Sequence, residues 1–344
     1  MGGNVFKDKP TKRLEKDNYF KLTSYVIEIL SNMMNIDDIY LLPTYLSKES
    51  FGDADVLIKR SEKINKTSFT ELLKQTLQLN SDDFSNNGDC LSVRISEFQF
   101  DFIFTNGEEW ETMKVYHGNG DLGNLMGRVS HKMGFKYGHS GLNLILRDGD
   151  YQFAELNVSR DSEKIFEFLG YDFNRYLQGF KSLNDIFEFV ASTKYFNKEI
   201  YLLQNRNHTS RVRDKKRKTY NEFLTWAGLK EFENNYQWLS YEERGGTKVV
   251  QEHLDRAFEM FPAFKAEYDT MVIAFEKSVK FKQLFNGDLV REWTGLQDQE
   301  LGKFMKMLKE FTKVTWTKPF EEWVIENPEL VERFVVNYFK SLRE

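Results

Sequence analysis

The stretch SFGDADVLIKR, residues 50–60, places two aspartates directly before an apolar run. The apolar run predicts a buried strand over 54–60. Side chains alternate along a strand, so Asp53 and Asp55 project from the same face. Two carboxylates this close repel each other, and the pattern therefore calls for a compensating cation. A divalent metal ion bound where the strand begins meets this requirement.

A third carboxylate lies in the segment FQFDFIFT, residues 98–105, which also predicts a strand. Asp101 stands there among phenylalanines, and an unpaired carboxylate in so apolar a run is costly to bury. A metal shared with two other carboxylates stabilises its charge. Asp53, Asp55 and Asp101 therefore predict a two-metal site for phosphoryl transfer, with two Mg²⁺ or Mn²⁺ ions about 3.5–4 Å apart. The alternative is an edge-strand aspartate that faces water.

Length and composition limit the classes of protein. A chain of 344 residues is long enough for two or three packed units. Its net charge of -5 argues against a protein that coats nucleic acid over its whole surface, but leaves a local basic patch open. Cys90 is the single cysteine, which excludes an internal disulfide and indicates a reducing, cytoplasmic setting. No stretch approaches 18 uninterrupted apolar residues, so no membrane partner is expected.

Hydrophobic periodicity predicts a small mixed sheet backed by helices in the first third of the chain. The predicted elements are helix 17–34, strand 39–45, strand 54–60, helix 67–79, strand 90–96 and strand 98–105. A glycine-punctuated stretch from about residue 106 is interpreted as a connection between two units, and YQFAELNVS returns to a strand pattern. Helical patterns dominate after residue 160. The predicted class is α+β, with a mixed sheet followed by an all-helical C-terminal domain.

Two segments carry a resemblance to a known family: GDADVLI at 52–58 and FDFI at 100–103. Together they resemble the palm of the polymerase-β-like (family X) nucleotidyltransferases, including phage- and virus-encoded members. The resemblance implies a catalytic palm over 1–105, a nucleotide-binding segment over 106–175 that completes the catalytic domain, and a helical nucleic-acid-binding domain over 176–344. It also implies a nucleoside triphosphate, NTP or dNTP, as the substrate.

The resemblance continues at YHGNGDLGN, residues 116–124, with Arg128 beyond it. In the family, an aromatic residue, an aspartate, an asparagine and a later arginine follow the third metal-binding aspartate at this interval. By resemblance, Tyr116 lines the sugar of the incoming nucleotide, Asp121 and Asn124 contact its base, and Arg128 reaches toward the nascent base pair.

One departure from the family lies just upstream of the paired aspartates. The family holds the triphosphate there with a Gly-Ser pair, whereas this chain has LPTY at 42–45. Proline also lacks a backbone donor, and the departure leaves an altered or lost activity open. The candidates for holding the triphosphate are short polar and basic groups nearby: Thr44, Ser47, Lys48 and Ser50, beside Gly52 at the entry to the strand.

RNHTSRVRDKKRK, residues 206–218, is a strongly basic stretch in an acidic protein. Phosphates neutralised by such residues release counterions, so nucleic acid is expected to bind here in a salt-dependent manner. A solvated helix face is the alternative interpretation. The stretch carries seven basic residues: Arg206, Arg211, Arg213, Lys215, Lys216, Arg217 and Lys218.

A second resemblance lies in FNGDLV, TGL and ELGKF, within 285–304. It is similar to the helical tail of CCA-adding and bacterial poly(A) enzymes, with an ordinary helical hairpin as the alternative. The chain is therefore expected to add a nucleoside monophosphate to the 3′-hydroxyl of a nucleic acid, with RNA that has a tRNA-like 3′ end slightly favoured. The alternatives are a gap-filling DNA polymerase, a nucleic-acid-binding protein with weakened catalysis, and a transferase that modifies a small molecule or a protein.

Overall fold

The structure, a computed structural model, describes residues 5–233 and 235–343. It divides between Phe264 and Lys265 into two compact units, of which the first is α+β and the second is helical. The boundaries expected at 105/106 and 175/176 both lie inside the first unit. Among the described residues, no helix combines the length and the apolar character needed to cross a membrane.

Ten strands occur in the described residues, all of them in the first unit. They are β1 Leu14–Glu15, β2 Ile39–Leu41, β3 Ser50–Phe51, β4 Asp53–Lys59, β5 Phe84–Asn87, β6 Cys90–Ile95, β7 Phe98–Thr105, β8 Phe135–Gly138, β9 Gly141–Asp148 and β10 Tyr151–Ser159. A five-stranded mixed sheet has the order β2-β4-β7-β6-β5, in which only the pair β4 and β7 is parallel. A two-stranded ribbon joins β1 to β3, and a three-stranded antiparallel sheet has the order β10-β9-β8.

Fifteen α-helices occur in the described residues. They are α1 Lys16–Ser31, α2 Lys66–Leu77, α3 Trp110–His117, α4 Leu122–Met133, α5 Ser162–Leu169, α6 Phe173–Leu177, α7 Leu183–Ala191, α8 His208–Lys215, α9 Lys218–Gly228, α10 Gln251–Met260, α11 Pro262–Leu284, α12 Gly287–Thr294, α13 Asp298–Thr315, α14 Phe320–Glu326 and α15 Val331–Ser341. No strand follows Ser159 in the part of the chain that the structure describes, which confirms the predicted helical C-terminal region.

The two faces of the five-stranded sheet differ in character. The face that packs against α1 and α2 is mainly apolar, and strand β7 presents four buried phenylalanines there, Phe98, Phe100, Phe102 and Phe104. The other face carries a smaller apolar cluster, which includes Leu57 and Trp110, beside its aspartates. Phe69 of α2 meets the rings of Phe102 and Phe104 edge-on, at centroid distances of 5.1 and 5.3 Å. Alternation then places Asp101 on the opposite face, away from these rings.

Two stretches differ from their predicted structure. The strand expected over 39–45 ends at Leu41, because Pro43 cannot donate a hydrogen bond to a neighbouring strand. The glycine-punctuated stretch interpreted as a connection forms α3, α4 and the hairpin of β8 and β9. Its glycines permit close packing: a Cβ at Gly123 would collide with the carbonyl oxygen of Tyr116, so glycine is required where α4 approaches α3.

We predict that Gly141→Ala destabilises the first unit and that Gly138→Ala does not. Gly141 has a φ of +96°, and a Cβ there would collide with the Ser159 carbonyl oxygen of β10. The backbone conformation alone costs about 1–3 kcal/mol for a residue with a side chain. A Cβ at Gly138, which ends the neighbouring strand, meets nothing within 4 Å. Urea unfolding followed by circular dichroism measures both variants, and equal midpoints would contradict the prediction.

Candidate metal centre and its cleft

Three aspartates meet on the face of the mixed sheet that lies opposite the phenylalanines of β7. Parallel pairing of β4 with β7 places Asp55 directly opposite Asp101, and Asp53 lies two residues earlier on the same face of β4. One carboxylate oxygen of each residue lies within 4.8 Å of the other two. The structure therefore brings together the three acids that the sequence singled out, in an arrangement that can hold divalent cations.

Two buried donors orient Asp101. The Ser92 hydroxyl donates to one carboxylate oxygen at 2.5 Å, and the Gln99 amide nitrogen lies 3.0 Å from both oxygens. Ser92 is the cross-strand partner of Asp101 on β6. Since β7 lies between β4 and β6, the alternative of an edge-strand aspartate that faces water is excluded. Sequence reasoning missed both donors, although Gln99 stands two residues before Asp101 and so shares its face.

The pKa of all three carboxyl groups is raised. Burial is the largest cause for each, and the negative charge of Asp101 adds to it for Asp53. Burial and the charges of Asp53 and Asp101 raise the pKa of Asp55 to about 7. More than a third of Asp55 is still open to solvent, which weakens the effect of burial, but the two like charges act in the same direction. For Asp101, the hydrogen bonds from Ser92 and Gln99 oppose the rise.

A cleft of about 300 Å³ opens in front of Asp53 and Asp55. Its lining is mostly polar and includes Lys48, Thr44 and Asp121. The Lys48 ammonium group lies 4.6 Å from the centroid of the Phe51 ring. Burial lowers the pKa of Lys48, while the charges of Asp53 and Asp55 raise it.

A second cation, Arg13, comes from the ribbon of β1 and β3. Its guanidinium donates to the Ser50 hydroxyl at 3.0 Å and to the Ser50 carbonyl oxygen at 2.9 Å. Its charge acts on both Lys48 and Asp53. Gly52 is buried between Phe51 and Asp53, at the entry to β4. Sequence reasoning did not identify Arg13, because a two-residue strand leaves no periodic signal.

Residues of the segment LPTY, 42–45, line one part of the cleft. The Leu42 amide donates to the Asp55 carbonyl oxygen at 3.0 Å, and the Pro43 carbonyl oxygen accepts from the Asn119 amide at 2.8 Å. Further along, the amides of Leu46 and Ser47 each donate at 2.9 Å to carbonyl oxygens of residues 180 and 181. The amides of Leu42, Leu46 and Ser47 are therefore engaged by carbonyl oxygens of the protein.

The predicted nucleotide-binding segment contacts the basic stretch. Asp121, which lines the cleft, forms an ion pair with Arg217. The Asn124 side-chain oxygen accepts from Arg213 at 3.1 Å. These contacts join α4 to the region of α8 and α9, through residues 96 and 89 positions apart in the chain.

Tyr116 and Arg128 lie nearer the interior than their predicted roles suggest. Tyr116 is half-buried, with its ring edge-on to Tyr137 at 5.2 Å. Burial and the charge of Arg206 lower the pKa of Arg128 to about 10. His117 lines the cleft, and burial together with His139 lowers its pKa to about 4, so it is neutral at physiological pH.

Only some of the basic side chains in the stretch 206–218 are exposed to solvent. Arg206 is buried, pairs with the fully buried Asp214 at 2.7 Å and donates to the Tyr220 hydroxyl at 2.9 Å. Arg206 stabilises the packing of α8 on α9 and does not belong to the basic surface expected from the sequence. The sequence could not show this, because a run of charged residues does not reveal which of them form ion pairs inside the protein. Arg217 is half-buried, and the remaining members are exposed: Arg211, Arg213, Lys215, Lys216 and Lys218.

No model of a known protein family matches this chain, and no curated protein matches it. The resemblance to the polymerase-β-like enzymes thus rests on the quoted motifs and stays a prediction.

We predict that Asp55→Asn stabilises the metal-free chain near pH 7.5. The raised pKa of Asp55, about 7, means that between pH 4 and pH 7 the folded chain binds more protons than the unfolded chain. The contribution of Asp55 to stability therefore falls as the pH rises through this range. In EDTA, we expect the variant to melt a few degrees above the wild type at pH 7.5 and to match it near pH 4.

The control for this prediction is Asp82→Asn. A hydrogen bond from Lys9 lowers the pKa of the exposed Asp82, so its contribution is present at neutral pH and lost as the pH falls. We expect this variant to melt at or slightly below the wild-type temperature at pH 7.5. A melting temperature of Asp55→Asn below that of the wild type at this pH would contradict the prediction.

Proposed function

We propose that the chain is a metal-dependent nucleotidyltransferase with a polymerase-β-like palm. The reaction transfers a nucleoside monophosphate from a nucleoside triphosphate to the 3′-hydroxyl of a nucleic acid. The observation that carries this proposal is the cluster of Asp53, Asp55 and Asp101 on paired parallel strands, facing a polar cleft. Carboxyl groups whose pKa is raised by burial and by neighbouring carboxylates, as for Asp53 and Asp55, are frequent at functional sites.

The residues present fit two divalent cations. Three hard carboxylate ligands from neighbouring strands suit Mg²⁺ or Mn²⁺. Asp53 and Asp55 face the cleft, whereas Asp101 is held by Ser92 and Gln99 in a single orientation. When bound, the two cations neutralise the charge that develops on the attacking and leaving oxygens. The proposed role of Asp101 is to lie beside the acceptor 3′-hydroxyl and favour the loss of its proton.

Lys48 and Arg13 are the proposed triphosphate ligands. The amides of Leu46 and Ser47 do not serve, because they are engaged by carbonyl oxygens. Lys48 lines the cleft beside the carboxylates, and Arg13 reaches the same region through Ser50. Neither cation forms an ion pair with a carboxylate within the described residues, so both are available to an anion that the metal ions bring into the cleft.

The nucleoside and the acceptor strand are assigned to the start of α4 and to the basic stretch. Asp121 lines the cleft, and Arg217 and Arg213 join Asp121 and Asn124 to the region of α8 and α9. The exposed cations of the basic stretch, including Arg211 and Lys215, would contact acceptor phosphates in a salt-dependent manner. RNA with a tRNA-like 3′ end stays slightly favoured over DNA, on the resemblance of the tail alone.

A nucleic-acid-binding protein with weakened catalysis is the second candidate. Two observations favour it: Pro43 stands where the family has a phosphate-binding pair, and the groups expected to read the base already hydrogen-bond to arginines. The intact acidic cluster favours the enzyme.

We predict that each aspartate of the cluster is required for transfer. Asp53→Asn and Asp55→Asn are expected to lower the rate by at least about 10²–10³-fold, because each removes a charge that stabilises the transition state through the cations. The assay supplies Mg²⁺ or Mn²⁺, each labelled NTP or dNTP, and single-stranded, gapped or tRNA-like 3′ ends. Asp89→Asn, in an exposed ion pair with Arg60, is the control and should retain activity. A wild type no more active than Asp53→Asn on every end would overturn the enzyme proposal.

We predict that Lys48→Gln and Arg13→Gln raise the KM for the nucleoside triphosphate about 10- to 100-fold, as expected for losing a charge-assisted contact of ~1.5–3 kcal/mol. Steady-state kinetics at varied triphosphate concentration measures the effect. The control is Lys21→Gln, which removes an exposed charge from α1 away from the cleft lining. A KM equal to that of the wild type in both cleft variants would show that other groups hold the triphosphate.

A further inference from the structure

The second unit has a cleft of its own, with a volume of about 470 Å³. Aromatic rings and lysines line it, namely Phe281, Trp316, Phe320, Lys309, Lys313 and Lys318. All of them belong to the unit that begins at Lys265, so this cleft is separate from the acidic cluster. No role in the proposed transfer reaction has been assigned to it.

Trp316 is a rigid aromatic surface at the end of α13. Its ring packs against Trp323 and Phe334, both at centroid distances of 4.9 Å, and against Phe320 at 5.7 Å. Trp316 and Phe320 are nevertheless only half-buried and line the cleft, so part of each ring remains accessible. An aromatic surface held in place by its neighbours can stack a flat ring without first losing conformational entropy.

The lysines that line this cleft differ in whether they form ion pairs. Lys318 forms an ion pair with Glu326, and one acidic residue, Glu321, also lines the cleft. Lys309 and Lys313 are exposed and form no ion pair within residues 5–233 and 235–343. They stand four residues apart on α13, hence on one face and about 6 Å apart along the helix axis. This spacing is wider than that of the phosphates within a triphosphate and suits neighbouring phosphates of an extended strand.

We propose that this cleft binds single-stranded nucleic acid, with a base stacked on Trp316 and phosphates at Lys309 and Lys313. Stacking platforms beside cations that follow the backbone are the usual means of binding single strands. An acidic peptide would satisfy the lysines but would offer no ring to the aromatic wall. A duplex would offer phosphates but keeps its bases stacked inside. The proposal does not depend on the transfer reaction, because binding here needs neither the aspartates nor a metal ion.

The test uses the full chain in EDTA and fluorescent oligo(U) and oligo(dT) of about 12 nucleotides. Lys309→Gln/Lys313→Gln should weaken binding about tenfold and reduce the slope of log K against log salt by about 1.4, since each phosphate contact on a single strand contributes about 0.7. The matched control, Lys303→Gln/Lys340→Gln, removes two exposed charges of the same unit that do not line the cleft. An equal loss in both pairs, or no loss in either, would overturn the proposal.

A spectroscopic measurement tests the stacking separately. The oligonucleotides should quench tryptophan fluorescence in the wild type, and Trp316→Phe should lose most of that quenching while still binding. Circular dichroism confirms that this variant folds, and the lysine pair provides an independent result if it does not. Poly-glutamate of similar length should not quench, and AMP should bind at least about tenfold more weakly than the strand. Quenching by poly-glutamate equal to that by the oligonucleotides, or AMP binding as tightly as the strand, would refute a single-strand site.

Discussion

The mutual repulsion of three carboxylates on β4 and β7 is the constraint on which the first unit depends. Asp53, Asp55 and Asp101 project from one face of a sheet whose other face is apolar, so the phenylalanines of β7 both bury the strand and direct its aspartate outward. Ser92 and Gln99 stabilise the charge of Asp101, and Lys48 partly offsets the other two. Lys48 lines the same cleft as Asp53 and Asp55, and the carboxylates of both aspartates face that cleft.

The alternation of apolar and polar residues explains which strands and which aspartates of the site could be predicted from the sequence. Alternation and apolar runs predicted strands 54–60, 90–96 and 98–105 to within a residue or so, because strands on a buried sheet have a strong period of two. The same alternation placed Asp53 and Asp55 on one face. Ser92 was missed because its importance arises from cross-strand pairing, and Arg13 because it directly precedes a strand of two residues. Helix α4 was missed because its glycines do not break it, and Gly123 permits its close approach to α3.

Contacts between distant segments lie beyond what a single sequence shows. The sequence shows the basic stretch as one uniform charge run. In the structure, Arg206 pairs with Asp214 in the interior, Arg213 and Arg217 bind residues at the start of α4, and Lys218 pairs with Glu222. The acid at position 214 inside the run is the one local hint that some of its cations are neutralised within the protein. The predicted nucleotide segment and the predicted nucleic-acid surface are thus in contact, although the chain separates them by about ninety residues.

The proposed use of side chains as phosphate ligands has a consequence for the proposed reaction. Amide donors in a fixed loop bind phosphate without reorganisation, whereas Lys48 and Arg13 are long side chains whose ordering costs entropy. Under this proposal, side chains hold a triphosphate less firmly than a preorganised loop would. More of the binding energy of the triphosphate must then come from the metal ions that lie between its oxygens and the three aspartates. The aspartates in turn need those cations to relieve their repulsion. Under the proposed function, metal binding and nucleotide binding are consequently coupled, because the metal ions supply positive charge to the triphosphate and the triphosphate supplies negative charge to the metal ions.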